Sequence, residues 1–196
     1  NIFDGLTTDT WIGAGEYIND EGEICITDTM ISQFVSTTVY VDKNGNDSNL
    51  GTFFAPVRTI QKAVNKVIDM NVVTPSDVET PYKILLLSDI VSDDSFESNN
   101  NALVNINPSS SGNPLYLEIS KYGDGNATIN ANRTDSNTGR VMYIGENANV
   151  TLKNLILTGG YLIDDNGAGL YILNNDANVK IENSEIVNPF PNDEDL

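Results

Sequence analysis

A ten-residue segment that recurs 29 positions later constrains this chain more than any other feature. Ala148-Asn149-Val150-Thr151-Leu152-Lys153-Asn154-Leu155-Ile156-Leu157 aligns with Ala177-Asn178-Val179-Lys180-Ile181-Glu182-Asn183-Ser184-Glu185-Ile186, with four identities and two Leu/Ile exchanges. Val141-Met142-Tyr143 falls on Leu170-Tyr171-Ile172 at the same offset. A repeat of about 20–50 residues made of short strands marks a solenoid, because each coil can bury its apolar face only against its neighbours.

The rest of the chain fits this reading. From Tyr82 onward, short apolar runs alternate with polar turns: Ile84–Leu87, Leu103–Ile106, Leu115–Ile119, Ala127–Ile129, Val141–Ile144, Val150–Leu152, Leu155–Leu157, Leu170–Leu173 and Val179–Ile181. No helical pattern interrupts them, so the crossover helices of an alternating βαβ fold are missing and a sandwich, a barrel or a solenoid remains. The repeat selects the solenoid. Asparagine, at 27 of 196 residues, suits many tight turns because it tolerates the left-handed region and bonds its own backbone. Asn154 and Asn183 are placed at equivalent strand-to-strand corners, where stacked amides could bond along the stack.

Upstream, Val39–Phe54 gives a short β-branched strand followed by an Asn/Asp/Gly/Ser turn cluster. An amphipathic helix follows near 56–70. Pro56 suits its first turn, and Val57, Ile60, Val64 and Val67 form one apolar stripe with Asn71 as its end. Such a helix would cover the open apolar end of a coil stack. Residues 1–36 do not resemble the remainder; Glu23–Thr27 alternates like a half-buried strand. They read as an N-terminal extension packing on the body, which spans 37–190, with 191–196 an acidic tail. After Val187 no second capping helix follows, so the chain reads as truncated at its C-terminal end, or as pairing end to end with another copy.

Charge and composition exclude several functions. Ten Lys and Arg against 28 Asp and Glu give a net charge of −18, which repels phosphate backbones and anionic membranes. Nucleic acid is not an expected partner. There is no histidine, which removes Ser-His-Asp hydrolases and His-based zinc sites. Cys25 is alone, so neither an internal disulfide nor a thiolate cluster can form. No run of about 18 apolar residues predicts membrane insertion.

The segment Val39–Phe54 with its helix resembles the opening of a right-handed parallel β-helix of the pectate-lyase-like kind. The phrase Val150-Thr-Leu-Lys-Asn-Leu-Ile-Leu-Thr-Gly-Gly160, with Gly167-Ala-Gly-Leu-Tyr171, is similar to the repeats of adhesin-like surface β-helix proteins, including the polymorphic outer-membrane protein family. The resemblance implies an all-β, right-handed parallel β-helix with an N-terminal capping helix. It also implies a secreted or cell-surface module that binds host or community ligands, carbohydrate among them, without catalysis. The alternative it leaves is a calcium-dependent polysaccharide lyase.

Few residues bear on that alternative. Asp42, Asn44, Asn46, Asp47 and Asn49 place five oxygen-bearing side chains in eight residues, as a calcium loop would. The sixth position is Asp47 instead of glycine and the twelfth is Phe53 instead of glutamate, so the match is incomplete and the residues read more readily as an Asx-rich turn leading into the cap. Asp164-Asp165 matches the paired aspartates of pectin-hydrolysing relatives, but their histidine-glycine and Arg-x-Lys elements are absent. Lys153 and Lys180 hold equivalent outward positions, and a lyase base needs a desolvated lysine. Tyr116, Tyr122, Tyr143, Tyr161 and Tyr171 are candidates to line a sugar groove by stacking.

Overall fold

The computed structural model describes residues 16–18, 24–26, 36–92, 101–108, 112–163, 165–173 and 176–187. The chain divides into two compact units, Asn1–Ser36 and Thr37–Leu196. In the first, β1 (Glu16–Ile18) pairs antiparallel with β2 (Ile24–Ile26). The expected packing of 1–36 on the body and the acidic tail at 191–196 fall largely or wholly outside the described residues.

The second unit is built from parallel strands. After β3 (Thr38–Val41) and the helix α1 (Ile60–Val73) come β4 (Tyr82–Leu86), β5 (Ile90–Val91) and β6 (Ala102–Ile106). Then follow β7 (Leu115–Lys121), β8 (Ala127–Asn130), β9 (Arg140–Ile144), β10 (Ala148–Lys153), β11 (Leu155–Thr158) and β12 (Leu170–Ile172). The series closes with β13 (Asn178–Glu182) and β14 (Glu185–Ile186). Three sheets result, ordered β13-β10-β7-β4-β3, β14-β11-β8-β5 and β12-β9-β6. From β4 onward the chain visits the three sheets in fixed rotation, and every pairing in them is parallel.

Alternation explains the burial. Along β7 and β10 the inward-facing residues Leu115, Leu117, Ile119, Ala148, Val150 and Leu152 are buried, while Tyr116, Glu118, Asn149, Thr151 and Lys153 are partly exposed. Register stacks like on like: Leu152 lies opposite Ile119 on one side and Ile181 on the other. One apolar core runs through all three sheets and under the helix.

The corners show why asparagine was selected. Asn154 and Asn183 take φ of 56° and 46°, and Asn147 and Asp176, also one repeat apart, take 58° and 56°. Asparagine and aspartate visit the left-handed region at lower cost than other side chains with a Cβ. The expected amide bond along the stack occurs elsewhere: Asn178 Nδ2 donates to Asn149 Oδ1 at 3.0 Å, on the sheet face. The strands β9 and β12 also depart from the repeat alignment. Tyr171 lies opposite Tyr143 and Leu170 opposite Met142, a shift of one residue from the 29-residue alignment. Because strands have a period of two, that shift exchanges faces and brings the two tyrosine rings into a stack 5.5 Å apart.

The helix starts at Ile60 instead of Pro56. Val57 is still part of the sheet edge, donating its N–H to Tyr40 O and bridging Val41. Thr59 is extended and caps the helix, accepting from Lys62 N at 3.2 Å. Ile60, Ala63, Val64 and Val67 are buried against the sheets. Gln61 completes the covering of β6, the end strand of its sheet. Its Nε2 donates to Asn105 O at 3.1 Å while Asn105 N–H donates to Gln61 Oε1 at 2.6 Å. One side-chain amide thus supplies the two bonds that a neighbouring strand would make. Asn71 lies within the helix rather than ending it, and is fully buried.

Candidate functional site

Asn71 positions the wall of a groove. Its Oδ1 accepts from Ser76 N (2.8 Å) and Ser76 Oγ (2.7 Å), and its Nδ2 donates to Pro114 O (3.3 Å). Ser76 Oγ in turn accepts from Tyr116 N at 2.9 Å, so the loop after α1 is tied to the first turn of β7. Asp77 closes that loop, with Oδ1 accepting from Glu79 N, Thr80 N and Thr80 Oγ1 at 2.7–2.9 Å. The N–H of Thr80 first, and then its hydroxyl, hold the Asp77 carboxyl below its ordinary value of 3.8. A depressed carboxylate stabilises the fold above that value and loses its contribution as pH falls through the folded pKa.

Val78 and Pro81 from this loop form one bank of a groove of about 280 Å³. Its floor is the outward face of β7, β10 and β13. The register sets two rows there: Tyr116, Asn149 and Asn178, then Glu118, Thr151 and Lys180. A ring, two amides, a hydroxyl and two opposite charges are therefore presented at the spacing of parallel strands, about 4.8 Å. Next to them, Glu182 receives Lys180 Nζ at 2.5 Å and Lys153 Nζ at 3.9 Å. The bond to Glu182 raises the Lys180 pKa above its ordinary value, and the bond from Lys180 lowers that of Glu182. Both groups are held in their charged forms, the reverse of what a proton-abstracting lysine needs.

The Val39–Phe54 loop is organised around its own backbone. Asp42 Oδ1 accepts from Asn44 N at 2.8 Å, and Asn46 Oδ1 from Ser48 N at 2.9 Å. Asp47 Oδ1 accepts from Arg58 N (2.8 Å) and Thr59 N (2.9 Å) and Oδ2 from Thr59 Oγ1 (2.9 Å), while Asn49 Nδ2 donates to Pro56 O (2.9 Å). These side chains build the turn and fix the start of the helix. Among the described residues no three His, Cys, Asp or Glu side chains gather as a metal-holding group. The chain matches no protein-family model, no curated protein and no solved structure.

The remaining candidates go to separate places. Asp165 Oδ2 receives Arg140 Nη2 at 2.5 Å, and the Arg140 guanidinium lies 4.9 Å from the Tyr171 ring centre. The Asn166 N–H and then Arg140 lower the Asp165 pKa, so it is held ionised in a clasp. Asp164 lies outside the described residues. Tyr143 and Tyr171 form the stack on the β6-β9-β12 sheet, Tyr122 joins Tyr40 and Phe53, and Tyr161 bridges Gly139. Only Tyr116 of the five lines the groove. Asn149 and Asn178 belong to it too, and their signal was present in the sequence: the same polar residue at an outward position of both repeats. Among the described residues no helix is long and apolar enough to cross a membrane.

Proposed function

We propose that residues 37–190 form a right-handed parallel β-helix, capped by α1, that acts as a secreted or cell-surface adhesin-like module and binds carbohydrate through its five-stranded face. The observation that carries this reading is the groove floored by Tyr116, Asn149, Asn178, Glu118, Thr151 and Lys180. The fixed rotation among three parallel sheets supports the coil architecture. A tyrosine ring offers a face for a sugar ring, and amides and a hydroxyl at strand spacing suit the repeated hydroxyls of a linear glycan. Binding is favoured over cleavage because Lys180 is solvent-exposed and paired with Glu182, which favours its protonated form. Fold alone does not assign an activity, so the groove has to be tested directly.

Titration calorimetry with a panel of neutral and acidic oligosaccharides provides that test. Tyr116→Ala is expected to weaken binding about tenfold, equivalent to ~1.4 kcal/mol, while Tyr143→Ala on the other sheet leaves it unchanged. Equal affinity of wild type and Tyr116→Ala, or no binding by the wild type, would remove the groove reading.

A further inference from the structure

The sequence contains two Asn-Gly steps, Asn44-Gly45 and Asn166-Gly167. At such a step the glycine nitrogen can attack the asparagine side-chain carbon, because no Cβ on the glycine obstructs the ring that forms. Both asparagines are exposed, and neither side-chain amide makes a hydrogen bond among the described residues. Their glycines differ. Gly45 N–H donates to Asp42 O at 2.8 Å, and a Cβ on Gly45 would lie 2.5 Å from Val57 O. That nitrogen is occupied, and the residue is wedged against a neighbouring segment. Gly167 N–H makes no hydrogen bond among the described residues, and Gly167 has a φ of 77°.

The second step also has a charged donor beside it. To react, the glycine nitrogen must lose its proton, and the negative charge is shared through resonance with the carbonyl oxygen of the same peptide group. At the second step that oxygen is Asn166 O, which accepts from Arg140 Nη2 at 3.3 Å. The same Nη2 donates to Asp165 Oδ2, and the guanidinium lies 4.9 Å from the Tyr171 ring centre, so the donor is fixed in place. A guanidinium aimed at the atom where charge develops favours the charged form. We propose that Asn166 is a site of spontaneous deamidation activated by Arg140, while the step at Asn44 is protected by its turn. Gly167 N bonds to Asn166 Cγ and gives up its proton to solvent. The Cγ–Nδ2 bond breaks, Nδ2 takes a proton from solvent, and ammonia leaves. Water then opens the resulting succinimide at either carbonyl, giving aspartate or isoaspartate, with no oxidant or reductant involved. Either product adds a carboxylate beside Asp165 and Arg140, and isoaspartate also lengthens the main chain there by one methylene. Neither asparagine lines the groove, so the glycan reading does not enter.

Peptide mapping by mass spectrometry, during storage of the intact protein in mildly alkaline buffer, follows both steps in one molecule. In the folded protein Asn166 is expected to convert about tenfold faster than Asn44, or more. Unfolding in concentrated urea is expected to raise the Asn44 rate and lower the Asn166 rate, because it removes protection at one step and activation at the other. Arg140→Gln removes the charged donor and is expected to slow Asn166 about tenfold while leaving Asn44 unchanged. Circular dichroism establishes that this variant is folded, and the urea comparison needs no variant. An Asn166 rate no greater than that of Asn44 in the folded protein would overturn the proposal. So would an Asn166 rate that rises on unfolding, or a folded Arg140→Gln variant that converts Asn166 as fast as wild type.

Discussion

Leu152→Ala is expected to lower the unfolding free energy by about 2–5 kcal/mol, the usual cost of a cavity at a fully buried leucine. Leu152 is 1% exposed and sits between Ile119 and Ile181 in the inward row of the five-stranded sheet. In this parallel sheet the two flanking residues are fixed by their own hydrogen-bonded strands, so neither can move far to fill the space. The contrast is Lys83→Ala. Lys83 is exposed on the opposite face of β4, two strands along the same sheet, and its replacement is expected to change stability by no more than about 0.5 kcal/mol. Urea unfolding followed by circular dichroism measures both. A Leu152→Ala variant as stable as wild type would mean that the inward row is not a packed core.

Gly160→Ala is expected to be comparably damaging, for a backbone reason. A Cβ at Gly160 would fall on the carbonyl oxygen of Ala168, which already accepts the Val141 N–H at 2.8 Å. Main-chain atoms held in a sheet edge cannot step aside as a side-chain tip can, so a penalty of about 1–3 kcal/mol or more follows. Its neighbour Gly159 adds a φ of 74° to a collision with Asn130 Oδ1. Gly123 is the control: its φ is 78° but nothing lies within 4 Å of an added Cβ. Gly123→Ala should therefore cost only the left-handed backbone term, about 1–2 kcal/mol. Equal losses at Gly160 and Gly123 would show that close approach contributes nothing at the Gly159-Gly160 turn.

Much of this was readable from particular residues. The inward and outward faces of β7, β10 and β13 follow from alternation, and the left-handed corners at Asn154 and Asn183 follow from the repeat. The strands before β10 were legible only singly, because the segments between them differ in length. The stacked residues Thr38, Lys83, Glu118, Thr151 and Lys180 are separated by 45, 35, 33 and 29 positions, so no single offset aligns them. The β9–β12 register departs by one residue from the 29-residue alignment for the same reason, since its connecting segment is one residue shorter than that of the neighbouring sheet. The helix start was hidden by Val57, whose apolar side chain extends the helical stripe although its backbone pairs with Tyr40. Tyr116 and the repeated Asn149 and Asn178 were visible as residues, but the bank formed by Val78 and Pro81 depends on Asn71 and Ser76, a long-range contact without a sequence pattern.

The proposal that the protein binds polysaccharide without cleaving it is tested by incubating it with acidic polysaccharides, with and without calcium. Absorbance of the unsaturated product is followed alongside retention of the protein on the same immobilised polymers. Retention is expected to fall in Tyr116→Ala, with no rise in absorbance under either condition. A calcium-dependent rise in absorbance that scales with protein concentration would contradict it.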